Sequence, residues 1–207
     1  MSLKEILIKK NKIHWLDIGC GRNFEEGFVY LDKLPKKLVE QKNKAKYFKI
    51  DLLHLTNYQL RHLGKFDFIR MQHVLEHFSF EEGQSVLCSA AKLLKKSGII
   101  LITVPDLKIN LQKYIKKEYK RWKSFKLWAL KKIPKNSPES FYFSVFAYNI
   151  PIAPHKWCYD YEGLRYVLKT THLFKNIKKI NLNNKLANVP FTHNRPEEDL
   201  CVIAKRK

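Results

Sequence analysis

The stretch Leu16-Asp17-Ile18-Gly19-Cys20-Gly21 constrains this chain more than any other. It continues the apolar residues Ile13, Trp15 and Leu16, so it reads as a buried strand that ends in a tight glycine turn and opens toward a helix. Gly19 and Gly21 have no Cβ, which lets backbone approach a ligand closely. Asp17 would bring a carboxylate to the end of that strand, where a ligand's ammonium could pair with it. A dinucleotide fingerprint would need a third glycine where Phe24 stands, and no G-x-x-x-x-G-K-[ST] loop occurs, so both of those ligand classes are set aside.

The rest of the chain alternates strand and helix signals. Strands are expected at about 13–18, 27–32, 47–50 and 66–70, and the capping box Ser79-x-x-Glu82 starts a helix expected to run to about Lys96. After a break at Ser97-Gly98, residues 99–104 are continuously apolar, as in a strand buried on both faces. A helix capped by Asp160 and running to about Lys169, then strands at about 174–181 and 199–204, would complete the sheet. The first ten residues read as a short basic helix. This pattern predicts an α/β fold with a mostly parallel sheet and helices on both faces. At 207 residues the chain suits a single domain, 1–207, with an insertion at about 107–154 that breaks the rhythm. Within the insertion Leu111, Tyr114, Ile115, Tyr119, Trp122, Phe125 and Ala129 fall on one helical stripe, opposite Lys113, Lys116, Lys117, Lys120 and Lys123.

Two further acids sit at strand ends. Asp32 closes the second strand, where a carboxylate can accept hydrogen bonds from both hydroxyls of a ribose, and Asp51 closes the third, placed to meet an adenine edge. With these, Asp17 to Gly21 and the run Phe66-Asp67-Phe68-Ile69-Arg70-Met71-Gln72-His73-Val74-Leu75-Glu76-His77-Phe78, the chain resembles the class I S-adenosylmethionine-dependent methyltransferases. The likeness is closest to the small bacterial branch found among polysaccharide and cell-surface biosynthesis enzymes. It continues through Val104-Pro105-Asp106-Leu107 and His155-Lys156-Trp157-Cys158-Tyr159-Asp160. The resemblance implies a Rossmann-like seven-stranded sheet with an antiparallel last strand at Asp199 to Ala204. It implies S-adenosylmethionine as cofactor and S-adenosylhomocysteine as product. The loop Asp17, Gly19, Cys20, Gly21 would hold the methionine part, Asp32 the ribose, Asp51 with Leu52 the adenine, and Met71, Gln72 and His73 would close over the sulfonium. Two turn positions depart from the family pattern: Ile99 follows Gly98, and His172-Leu173 precede Phe174 without a glycine.

Methyl transfer is an in-line displacement, so the protein must align donor and acceptor, and a hydroxyl acceptor also needs a base. Candidate catalytic residues lie at the carboxyl ends of the fourth and fifth strands: His73, then Asp106, with His155 reaching in from the end of the insertion. His73 to His77 also spells H-x-x-E-H, an inverted zinc-protease motif. Its place just after a strand, and the lack of a downstream acidic helix to give a third ligand, argue against that reading, so no metal is expected.

Composition bears on partners. The net charge of +21 suggests an anionic partner, but 33 of the 40 basic residues are Lys, whereas nucleic-acid readout favours Arg. The expected acceptor is therefore a small molecule or glycan, lipid-linked in one version, with the basic stretch 108–135 meeting an anionic membrane surface. Nucleic acid is disfavoured, although an RNA methyltransferase is one alternative. The other is a non-catalytic methyltransferase-fold binding protein. Four scattered cysteines without a C-x-x-C pair suggest reduced thiols, and with no apolar run long enough to span a bilayer the expectation is a cytoplasmic protein, peripheral at most to the inner face of the membrane.

Overall fold

A computed structural model describes residues 14–21, 25, 27–34, 46–118, 138, 154–181 and 197–207. Seven strands form one sheet: β1 (Trp15–Ile18), β2 (Phe28–Asp32), β3 (Tyr47–Lys49), β4 (Phe66–Gln72), β5 (Leu94–Pro105), β6 (Phe174–Ile180) and β7 (Asp199–Arg206). Their order is β3-β2-β1-β4-β5-β7-β6. The first five run parallel, and β7 lies antiparallel between β5 and β6, so the predicted mostly parallel sheet with an antiparallel last strand is the one observed.

Alternation along the strands sorts the core onto two faces. Leu16, Ile18, Leu31, Ile69, Met71, Ile100 and Ile102 pack with α2 (Phe80–Leu93) and α4 (Tyr161–Thr170), and α1 (Asn57–Leu63) adds Leu60 and Leu63 to the same face. Trp15, Phe28, Tyr30, Phe68, Ile99 and Leu101 form the second cluster, rich in aromatic rings. The Ser79–Glu82 capping box is present, and α2 buries Val86, Leu87, Ala90 and Ala91. A second box, Thr56 with Gln59, starts α1, a helix that the sequence reading passed over.

Two boundaries differ from expectation. α2 stops at Leu93 rather than near Lys96, because buried Leu94 turns extended and pairs with Phe66; the Ser97-Gly98 break is instead an irregularity inside β5, with Ser97 at φ 63°. The basic helix begins earlier and ends sooner: α3 spans Leu107–Ile115, capped by Asp106, and Lys117 at φ 57° ends it. Over its described residues the apolar stripe does not turn inward. Leu111, Tyr114 and Ile115 are exposed, while Asn110 is fully buried and donates from Nδ2 to the Asp106 carbonyl at 2.7 Å. Buried Asn110 and Lys113, paired to Glu198 at 2.8 Å, mark the face that turns inward instead of the hydrophobic stripe. Residues 119–137 and 139–153 of the insertion, the first ten residues and Phe24 lie outside the described residues. No helix among the described residues is long and apolar enough to cross a membrane.

Candidate active site

The strand order reverses between β1 and β4, the point where open parallel sheets bind ligands beyond their carboxyl ends. Both sides of that point carry unusual backbone. Gly19 sits at φ 71° and donates to the Leu31 carbonyl at 2.7 Å, while a Cβ on it would lie 2.4 Å from a Val74 methyl. Gly21, at φ 55°, would direct a Cβ into open space. Opposite, His73 holds φ 52°, a left-handed conformation that side chains adopt at a cost, pinned by its N–H to the Thr103 carbonyl.

On the β1 side the acids organise the loop. Both oxygens of Asp32 accept backbone bonds, from Gly21 at 2.9 Å and Leu34 at 3.0 Å, so the carboxylate that closes β2 also shapes the glycine turn. Asp51 accepts from Leu53 N–H and caps a one-turn helix, Leu52–His54, in which Leu52 is buried. Asp17 is buried, and Arg70 grips it with Nε at 3.1 Å and Nη2 at 2.6 Å. The Arg70 Nη1 reaches Glu25 at 2.7 Å, and the guanidinium lies over Phe28 at 4.4 Å. A ligand ammonium would therefore meet a carboxylate whose charge Arg70 already balances. Cys20 is buried and burial pushes its thiol pKa up, which keeps it an inert packing group.

The β4 side gathers the three candidate bases, each with partners. His73 lies between two carboxylates, Nδ1 to Glu76 Oε1 at 3.0 Å and Nε2 to Asp199 Oδ2 at 2.8 Å. Burial opposes its charge, but the bonds to Asp199 and Glu76 outweigh that and raise its pKa to about 9. At neutral pH it is an imidazolium, a donor that holds others in place. Burial likewise works against the Glu76 charge, and the His73 bond and charge overcome it, keeping that carboxyl below its ordinary range. Asp106 is fully buried, accepts from Lys108 and Ile109 N–H as the cap of α3, and pairs with Lys179 at 3.0 Å. His155, half-buried, lines a small cavity with Glu76, Pro105, Leu107, Trp157, Cys158 and Tyr159. Met71 is buried in the core, and Gln72 ends β4 half-buried.

A family model described as "Methyltransferase domain" matches residues 2–141. The chain belongs to that family. The fold of this methyltransferase recurs in solved structures. A SAM-dependent methyltransferase from Archaeoglobus fulgidus aligns at TM-score 0.52 and 19% identity, over 98% of this chain and 92% of that one. Magnesium protoporphyrin IX methyltransferase from Synechocystis, with SAH bound, aligns at TM-score 0.52 and 15% identity, over 99% and 80%. An O-methyltransferase described from Nostoc punctiforme aligns at TM-score 0.56 and 10% identity over 98% of this chain, which spans 54% of that protein. At these identities the likeness concerns the fold. No curated protein matches the chain.

Arg70, Glu25 and Asp199 are the residues that sequence reasoning passed over. Arg70 carried a signal, since a charged residue inside a strand covered on both faces needs a buried partner. Naming that partner required the β1–β4 register, which sets Asp17 beside Arg70.

Proposed function

We propose that this methyltransferase moves a methyl group from S-adenosylmethionine to a small-molecule or sugar-type acceptor, releasing S-adenosylhomocysteine. The observation that carries the reading is the crowding of Gly19 onto Val74 beside open space at Gly21, at the sheet's reversal point. The fit is good: bare backbone faces that space, and Asp32 and Asp51 stand at the next two strand ends. In this reading Asp17, Gly19, Cys20 and Gly21 hold the methionine part, Asp32 the ribose, Asp51 and Leu52 the adenine, and Met71, Gln72 and His73 the sulfonium side. When bound, the sulfonium supplies a methyl group ready for in-line displacement. The chain's own work is then to orient and to exclude water. Asp32 fixes the turn, Arg70 keeps Asp17 from moving, and imidazolium His73 locks Glu76 and Asp199 at the acceptor side. Asp106 and His73 are positioning groups; His155 faces the acceptor.

Calorimetry with S-adenosylmethionine tests the reading. Binding is expected, and Asp32→Ala should weaken it at least tenfold while circular dichroism stays native; equal affinity would refute the assignment. A lipid-linked or cell-surface acceptor, presented at an anionic membrane through 108–135, is the finer version. It rests on exposed Lys116 and Lys117 beside exposed Leu111 and Ile115. Sedimentation with anionic vesicles should fall when both lysines become Glu, and no difference would remove it.

A further inference from the structure

Glu76, His77 and His155 each bring one ligand-capable atom to within 4.8 Å of the others. We infer that these three side chains form a site for a divalent transition-metal cation of the zinc type. The chemistry of each residue is already arranged for it. Glu76 is 1% exposed; its Oε1 accepts a hydrogen bond from His73 Nδ1–H, and its Oε2 is buried without any hydrogen-bond partner. A buried carboxylate oxygen left unmade is costly, and a cation is the partner that would satisfy it. His77 Nδ1 lies 3.2 Å from the Pro154 carbonyl. A carbonyl only accepts, so Nδ1 carries the hydrogen and Nε2 presents its lone pair, the tautomer that metal-bound histidines adopt.

The third ligand is held close by backbone. Lys156 and Trp157 N–H both donate to the Glu76 carbonyl, at 2.8 and 3.2 Å, and the His77 and His155 rings stand 5.0 Å apart. Glu76 and His155 also line the cavity of about 10 Å³, room for roughly one small sphere. Two imidazoles and a carboxylate suit zinc with an open fourth position, whereas calcium and magnesium prefer oxygen ligands. Zinc bonds near 2.1 Å separate tetrahedral ligands by about 3.4 Å, so atoms that lie within 4.8 Å of one another need close by no more than about 1.4 Å, a shift that half-buried His77 and His155 can share. The H-x-x-E-H spacing is thus misleading in one residue: both nitrogens of His73 are taken, and His155 replaces it. In this site His155 is a ligand rather than a base, and the open position would receive an acceptor oxygen.

The test titrates chelator-stripped full-length protein with Zn²⁺ alone by calorimetry, and with Co²⁺ to read coordination by visible absorption. One equivalent should bind with a tetrahedral Co²⁺ spectrum. His155→Ala and Glu76→Gln should each weaken binding at least tenfold, and His62→Ala, on the exposed surface, should not. Wild-type affinity in His155→Ala, or equal weak binding by all variants, would overturn the site. Should Glu76→Gln fail to fold, His155→Ala decides alone. No S-adenosyl ligand is present, so this result and the methyl-transfer reading stand or fall separately.

Discussion

Gly19→Ala is the most informative single substitution. Two costs add. A non-glycine residue at φ 71° costs about 1–2 kcal/mol. The new Cβ would also sit 2.4 Å from a Val74 methyl, and Val74, β-branched and nearly buried, has little rotamer freedom to yield, an overpacking cost of about 1–3 kcal/mol. The expected loss is about 2–5 kcal/mol in urea unfolding. Val74→Ala alone should lose about 1.5 kcal/mol of burial plus a small cavity cost. Combined, the pair should recover the overpacking part as a coupling of about 1–3 kcal/mol, leaving the backbone part. Gly21→Ala is the internal control: its Cβ meets nothing, so only about 1–2 kcal/mol should be lost. If Gly19→Ala and Gly21→Ala cost the same, or if the Gly19–Val74 coupling is zero within about 0.5 kcal/mol, the close approach of the two loops is not what requires glycine.

Arg70→Met should destabilise by about 3–5 kcal/mol, since it strands the buried Asp17 carboxylate, and adding Asp17→Asn should restore part of that; strict additivity in denaturation would contradict the pairing. In metal-free protein, NMR should place the His73 titration near pH 9. Because the folded value is raised above the ordinary 6.5, the stability it gives is complete below about pH 6.5 and is lost as pH rises through about 9; a midpoint near 6.5 would break the two-carboxylate account. Asp106→Asn should keep the α3 cap and most methyl-transfer activity, while Asp106→Ala costs about 1–2 kcal/mol by thermal unfolding; abolished activity in a stable Asp106→Asn protein would make Asp106 a base after all.

The alternating pattern, the Ser79–Glu82 box and the period-free run 99–104 locate the strands and the start of α2 from sequence alone, because local propensity and burial on both faces agree there. The glycine turn and the acids at 32 and 51 are legible as strand ends for the same local reason. What only the tertiary structure decides is the state of those groups. Register sets Arg70 against Asp17, and antiparallel β7 delivers Asp199 to His73, turning a candidate base into a clamped imidazolium. The amphipathic stripe 111, 114, 115 misleads, since helical periodicity says which residues share a face but not which face turns inward; the Asp106 cap, Asn110 and the Lys113–Glu198 pair settle that. A spacing motif such as H-x-x-E-H likewise reports neighbours along one turn. Its third partner, His155, arrives through hydrogen bonds to the Glu76 carbonyl that no local pattern contains.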